Sequence, residues 1–149
     1  LEIEVTESAL LHDMQATVDV LHRLRAMGVR TALDDFGTGY SSLSHLQNLP
    51  LNKVKIDRSF LRNVETDMRA KKLLLGVTQL SADLGMTVVI EGVETYEQLA
   101  ILSESGTVDE VQGFLFSPPS TAEVVRALLT EPEYTTQQKS RPAKRHGAM

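Results

Sequence analysis

The 149-residue sequence contains no cysteine and no tryptophan, and aromatic residues make up only 5% of it. Without cysteine there can be no disulfide and no thiolate metal site, which fits a reducing compartment. No stretch reaches the ~20 apolar residues that span a bilayer, and no charged segment leads into an apolar export signal. A cytoplasmic location with no membrane segment is therefore expected. Positive charge is scarce as well: 15 Lys and Arg against 20 Asp and Glu leave a formal charge of −5. That balance argues against a surface built to coat a nucleic-acid polymer, which is normally strongly basic. What remains, 42% hydrophobic and 23% charged, is an ordinary composition for one domain with its own core.

Apolar and polar residues alternate from Leu1 to Val5, the pattern of a half-buried strand. A strand at the first residue suggests that further sequence lies upstream. Met14, Val18, Leu21 and Leu24 then recur at helical spacing and predict a helix over 13–27, closed by Gly28. Further strands are expected over 29–34, 53–57, 87–93 and 110–116. Between them, helices are expected over 42–47, 65–84, from the capping box at Thr95–Gln98 to Gly106, and from a second box at Ser120–Glu123 through Leu129. Beyond Leu129 there is no Leu, Ile, Val or Phe, so residues 131–149, with Lys139, Arg141, Lys144 and Arg145, read as a disordered polar and basic tail. Residues 1–130 form the domain.

Five alternations of strand and helix predict a parallel α/β architecture. An open doubly wound sheet and a partial (β/α)8 barrel both satisfy that pattern. The turn Thr6-Glu7-Ser8-Ala9 after the first strand lacks a dinucleotide-binding glycine loop, which weakens the first option. If Leu33, Val54, Ile56, Val88 and Ile90 face the helices, the opposite parity carries Glu2, Glu4, Asp34, Lys53, Lys55, Asp57, Glu91 and Gln112. Every strand then sends a charged or amide group toward a common interior near its C-terminal end, where barrel enzymes do their chemistry. Such groups need partners, either ion pairs or a metal. Oxygen donors alone (Glu4, Asp34, Asp35) suit a hard cation such as Mg2+ or Mn2+. Asp34 and Asp35 are adjacent, so they converge only if the chain bends, and Gly37 and Gly39 provide that freedom. Each residue alone has a plainer reading: a strand-end Asp is often a helix cap, and Lys55 with Asp57 would make a simple ion pair. Lys55 as a Schiff-base lysine is a further alternative. His12, His22 and His45 have no metal-like spacing and read as surface or packing residues.

Five segments, taken together, resemble the ordered motifs of the EAL domain family. They are Glu4-Val5-Thr6-Glu7, the ten residues from Asp34-Asp35-Phe36-Gly37-Thr38-Gly39 to Leu43, Lys55-Ile56-Asp57, Glu91-Gly92-Val93-Glu94-Thr95, and Gln112-Gly113-Phe114-Leu115-Phe116. The resemblance covers Glu2 to about Leu129. It implies a partial (β/α)8 barrel of about five units. It also implies hydrolysis of cyclic di-GMP to linear pGpG with two Mg2+ or Mn2+ ions. By the same resemblance Glu4, Asp34 and Asp35 match metal ligands, and Lys55 matches the lysine beside the attacking water. Glu91 matches a carboxylate acting as general base or as water-mediated metal holder. Gln112, Asp57 and Glu94 match supporting positions, and Glu7 matches the glutamate that pins the Gly37-Thr38-Gly39 loop. A homodimer of the full domain and upstream sensory or GGDEF-type domains are implied partners. The family's signature Glu-Ala/Val-Leu strand and its asparagine ligand are not in this stretch and are expected upstream of Leu1, so the stretch alone is expected to be inactive. A non-catalytic cyclic di-GMP-binding or protein-interaction module derived from the same fold is the alternative.

Overall fold

A computed structural model describes residues 1–38 and 46–130 of the chain. Two units are separated, Leu1–Phe116 and the segment from Ser117 onward. In the first unit the elements run β1 (Glu2–Thr6), α1 (Glu7–His12), α2 (Met14–Ala26), β2 (Arg30–Phe36), β3 (Lys53–Ile56), a 3-10 turn (Arg58–Leu61), α3 (Met68–Asp83), β4 (Thr87–Ile90), α4 (Tyr96–Ser105) and β5 (Glu110–Val111). The second unit holds α5 (Ala122–Thr130). The expected helix over 42–47 and the tail 131–149 lie largely or wholly outside the described residues.

All four strand pairings are parallel, and the sheet order is β1-β2-β3-β4-β5. A doubly wound sheet would reverse direction at a switch point. An order that follows the chain without reversal is that of a barrel arc. Leu33, Val54, Ile56, Val88 and Ile90 are buried in one cluster with Leu21, Leu74 and Leu102 from the helices. Burial of such side chains supplies the main stabilisation, about 1.5–3 kcal/mol for each Leu, Ile or Val fully withdrawn from water. The parity of the strands is therefore set by this helix-facing core.

Several boundaries differ from the sequence expectation. The segment after β1 is helical rather than a loop, because Thr6 is extended and its hydroxyl accepts from Ala9 N. Asp13 then caps α2 by accepting from Ala16 N at 3.1 Å. The helix expected from residue 65 starts at Met68, where Asp67 accepts from Arg69 N at 2.8 Å after Asn63 has taken φ 58. The capping box at Thr95 is present as expected, with both reciprocal bonds to Gln98. The fifth strand is two residues rather than seven. From Gly113 the chain turns, with Phe116 N donating to Gly113 O at 3.1 Å.

Asp57 follows β3 and caps the 3-10 turn, its carboxylate accepting from Ser59 N at 2.9 Å. Burial alone would raise its pKa. The Ser59 and Arg58 hydrogen bonds outweigh that and hold it below the usual 3.8. A lowered folded pKa means the cap's contribution is complete above the unfolded value and is lost as pH falls through the folded one. Asp57→Ala is therefore expected to cost about 1 kcal/mol at neutral pH. In urea titrations the difference from wild type should shrink as the pH drops below 3.8. A difference that stays constant down to strongly acid pH would show that the carboxylate is not the source.

Candidate metal and catalytic site

The inward parity of the strands places two charged layers at different heights. The lower layer is Lys53 Nζ, 3.0 Å from Glu2 Oε1 and 3.4 Å from Glu110 Oε2, with Arg30 Nε 3.5 Å from Glu2 Oε2. Glu110 was not among the expected residues; its period-two spacing from Gln112 is the signal that finds it. Two residues further along β3, Lys55 Nζ lies 3.2 Å from Glu4 Oε2, 2.7 Å from Asp34 Oδ1 and 2.9 Å from Glu91 Oε1. Gln112 Nε2 donates to that same Glu91 oxygen at 2.8 Å. Four strand ends thus meet around the ammonium of Lys55, whose side chain is 12% exposed, with the Gln112 amide bracing Glu91.

Burial works against the charge on Lys55, but its contacts with Asp34, Glu91 and Glu4 overcome it and hold the ammonium above the usual lysine range. A Schiff-base lysine must be available as the neutral amine, so this environment opposes that alternative and favours a fixed cation.

The two adjacent aspartates converge through a β-bulge. Leu33 pairs with Val54 and Phe36 with Ile56, so Asp34 and Asp35 together stand opposite Lys55. Asp35 itself takes φ 55, a conformation uncommon outside glycine but several-fold enriched for Asp and Asn. The bend expected from the neighbouring glycines is thus made first by the aspartate. Thr38 N and Thr38 Oγ1 both donate to Asp35 O, at 3.2 and 2.9 Å, closing the turn. Gly37 N donates to Oε2 of the buried Glu7 at 2.9 Å. Gly39 lies outside the described residues.

Asp34, Asp35 and Glu91 each offer an oxygen within 4.8 Å of the others. Glu4 reaches the group through Lys55, with its side chain 48% exposed. Glu94 is exposed and sits before α4, its N–H donating to Gln98 Oε1 at 2.9 Å, and Asp57 serves the 3-10 turn. The donor chemistry fits a hard divalent cation, because all three converging groups are carboxylates and sulfur and imidazole are absent from them. Asp34 Oδ1 is shut off from solvent and is paired with the Lys55 ammonium at 2.7 Å.

Residues 1–119 match the EAL domain family. The cyclic di-GMP phosphodiesterase NbdA of Pseudomonas aeruginosa is 46% identical over 119 residues, covering 80% of this chain and 15% of NbdA. The solved phosphodiesterase MucR of the same organism, in complex with c-di-GMP, is 41% identical with a TM-score of 0.76 over 84% of this chain and 50% of that one. BlrP1 of Klebsiella pneumoniae, solved with manganese and cyclic di-GMP, is 40% identical with a TM-score of 0.73 over 79% of this chain and 30% of that one. The chain therefore spans half or less of each of these relatives. Among the described residues no helix is long and apolar enough to cross a membrane.

Proposed function

The chain belongs to the EAL domain family, as part of a (β/α)8 barrel, and from that membership we propose that it supplies the C-terminal half of a site that hydrolyses cyclic di-GMP to linear pGpG. The observation that carries the proposal is the meeting of Asp34, Asp35 and Glu91 within 4.8 Å of one another beside the Lys55 ammonium. Structural ion pairs gather charges too, but they do not need three acids around a point where two neighbours must bulge to meet.

Asp34 and Asp35 would hold the divalent ions, with Glu4, which also meets Lys55, as a further ligand and Glu91 beside them. When bound, such cations lower the pKa of water and neutralise charge on a phosphodiester. The residues themselves do the rest. Attack of water on phosphorus in line with the ribose 3′ oxygen forms one P–O bond and breaks another, leaving a 5′ phosphate and a 3′ hydroxyl that takes up a proton. Lys55 stands where a fixed positive charge offsets the negative charge that builds on the phosphoryl oxygens. Glu91, anchored through Oε1 by Lys55 and Gln112, keeps its other oxygen for the water's proton or for a water-mediated hold on a cation.

The test is to incubate the full-length protein with cyclic di-GMP and Mn2+ or Mg2+ and to follow pGpG by chromatography. Conversion with metal and none with excess chelator is expected. Tight binding of cyclic di-GMP with no product under any metal would replace the enzyme by a binding module.

A further inference from the structure

Two of the three converging carboxylates sit on the bulge of β2 and the third on the loop after β4, so their spacing depends on what lies between those two segments. The intervening element is the 3-10 turn Arg58–Leu61. Gly37, at φ 100 and two residues beyond Asp35, rests directly on the Phe60 ring: a Cβ there would overlap Phe60 Cε2 and come within 2.7 Å of Cζ. Gly92, at φ 72 and next to Glu91, rests on Arg58 of the same turn, where a Cβ would overlap Arg58 Cβ. Both segments are tied to the strand that leads into the turn as well, Asp57 N donating to Phe36 O at 3.3 Å and Glu91 N to Ile56 O at 3.1 Å. The turn is itself stiffened by its Asp57 cap, and the partly buried Phe60 packs against the core.

We propose that this turn is the spacer that sets the distance between the Asp34–Asp35 bulge and Glu91, with Phe60 as the positioning residue. Phe60 touches neither cation nor substrate in this role. It acts through Gly37, limiting how far the Asp35 turn can sink toward the core. The inference rests on the proposed metal role of the three carboxylates.

Mn2+ titration of the full-length protein, followed by electron paramagnetic resonance, tests it beside thermal melting. Phe60→Ala is expected to weaken Mn2+ binding about tenfold, the low end of what loss of an outer-shell support costs a metal site. Leu74→Ala, a fully buried core truncation on α3, should lower the melting temperature at least as much and leave Mn2+ affinity within about twofold of wild type. If Phe60→Ala binds Mn2+ as well as wild type, or if Leu74→Ala loses the same affinity, the positioning role is wrong while the metal site stands. Should Phe60→Ala fail to fold, Phe60→Leu is expected to shift affinity in the same direction by less, and an unchanged affinity there overturns the proposal equally. A wild-type protein that binds no Mn2+ removes both the spacer and the site it would serve.

Discussion

Lys55→Met is expected to reduce cyclic di-GMP hydrolysis by about two to three orders of magnitude, the scale seen when one preorganised transition-state charge or donor is removed. It is also expected to destabilise the fold. Three carboxylates approach the ammonium at 3.2, 2.7 and 2.9 Å, and the substitution leaves them facing one another. Stranding a buried ion costs about 3–5 kcal/mol, but Glu4 is half exposed and Asp34 and Glu91 keep some hydration, so about 2–3 kcal/mol is the reasonable figure. That cost should depend on the cation. With Mn2+ present part of the repulsion is already neutralised, so the loss measured by urea denaturation should be larger in chelator than in metal. Lys55→Arg should not restore the rate, because a planar guanidinium cannot place one compact charge among three oxygens. If the Lys55→Met protein kept a tenth of wild-type turnover, Lys55 would have no part in the chemistry.

The part of this site that could be read from the sequence is the part governed by period two. Val54, Ile56, Val88 and Ile90 have no stable position except against the helices, so Lys55 and its neighbours on adjacent strands must face the other way. The strand order is not set by that alternation: the missing glycine-rich turn only weakens an open sheet, and the barrel comes from the family resemblance. The bulge was not legible in detail. Whether Asp34 or Asp35 carries the extra residue depends on the register with β3, and a single strand's sequence contains no register. The flanking glycines drew attention to flexibility beside the bend, while the aspartate at φ 55 makes it. The 3-10 turn was invisible for a similar reason. Nothing in the sequence singles out Arg58 or Phe60; only the two glycines that rest on them in the fold do. The shortening of β5 to two residues also has a tertiary cause, since Leu115 N donates to Val93 O at 3.0 Å and draws the chain away from strand geometry.

The sharpest separation of a metal site from a structural ion cluster comes from Asp35→Asn. Asparagine is at least as comfortable as aspartate at φ 55, and the bonds that close the turn are accepted by the Asp35 backbone carbonyl, so the substitution leaves the bulge intact. What it removes is one of three negative charges held within 4.8 Å of each other. In chelator that removal relieves repulsion, and stability should stay level or rise by up to about 1 kcal/mol. With Mn2+ the outcome should invert: affinity is expected to fall at least tenfold, the metal-dependent gain in melting temperature to shrink by linkage, and hydrolysis to drop by about three orders of magnitude. An ion cluster whose purpose is structural predicts the opposite pattern, a loss of stability that metal does not affect. Because wild type and variant differ by one nitrogen in place of one oxygen, the sign of the stability change across the two conditions decides between them. Equal Mn2+ affinity in the two proteins would mean that Asp35 holds no cation.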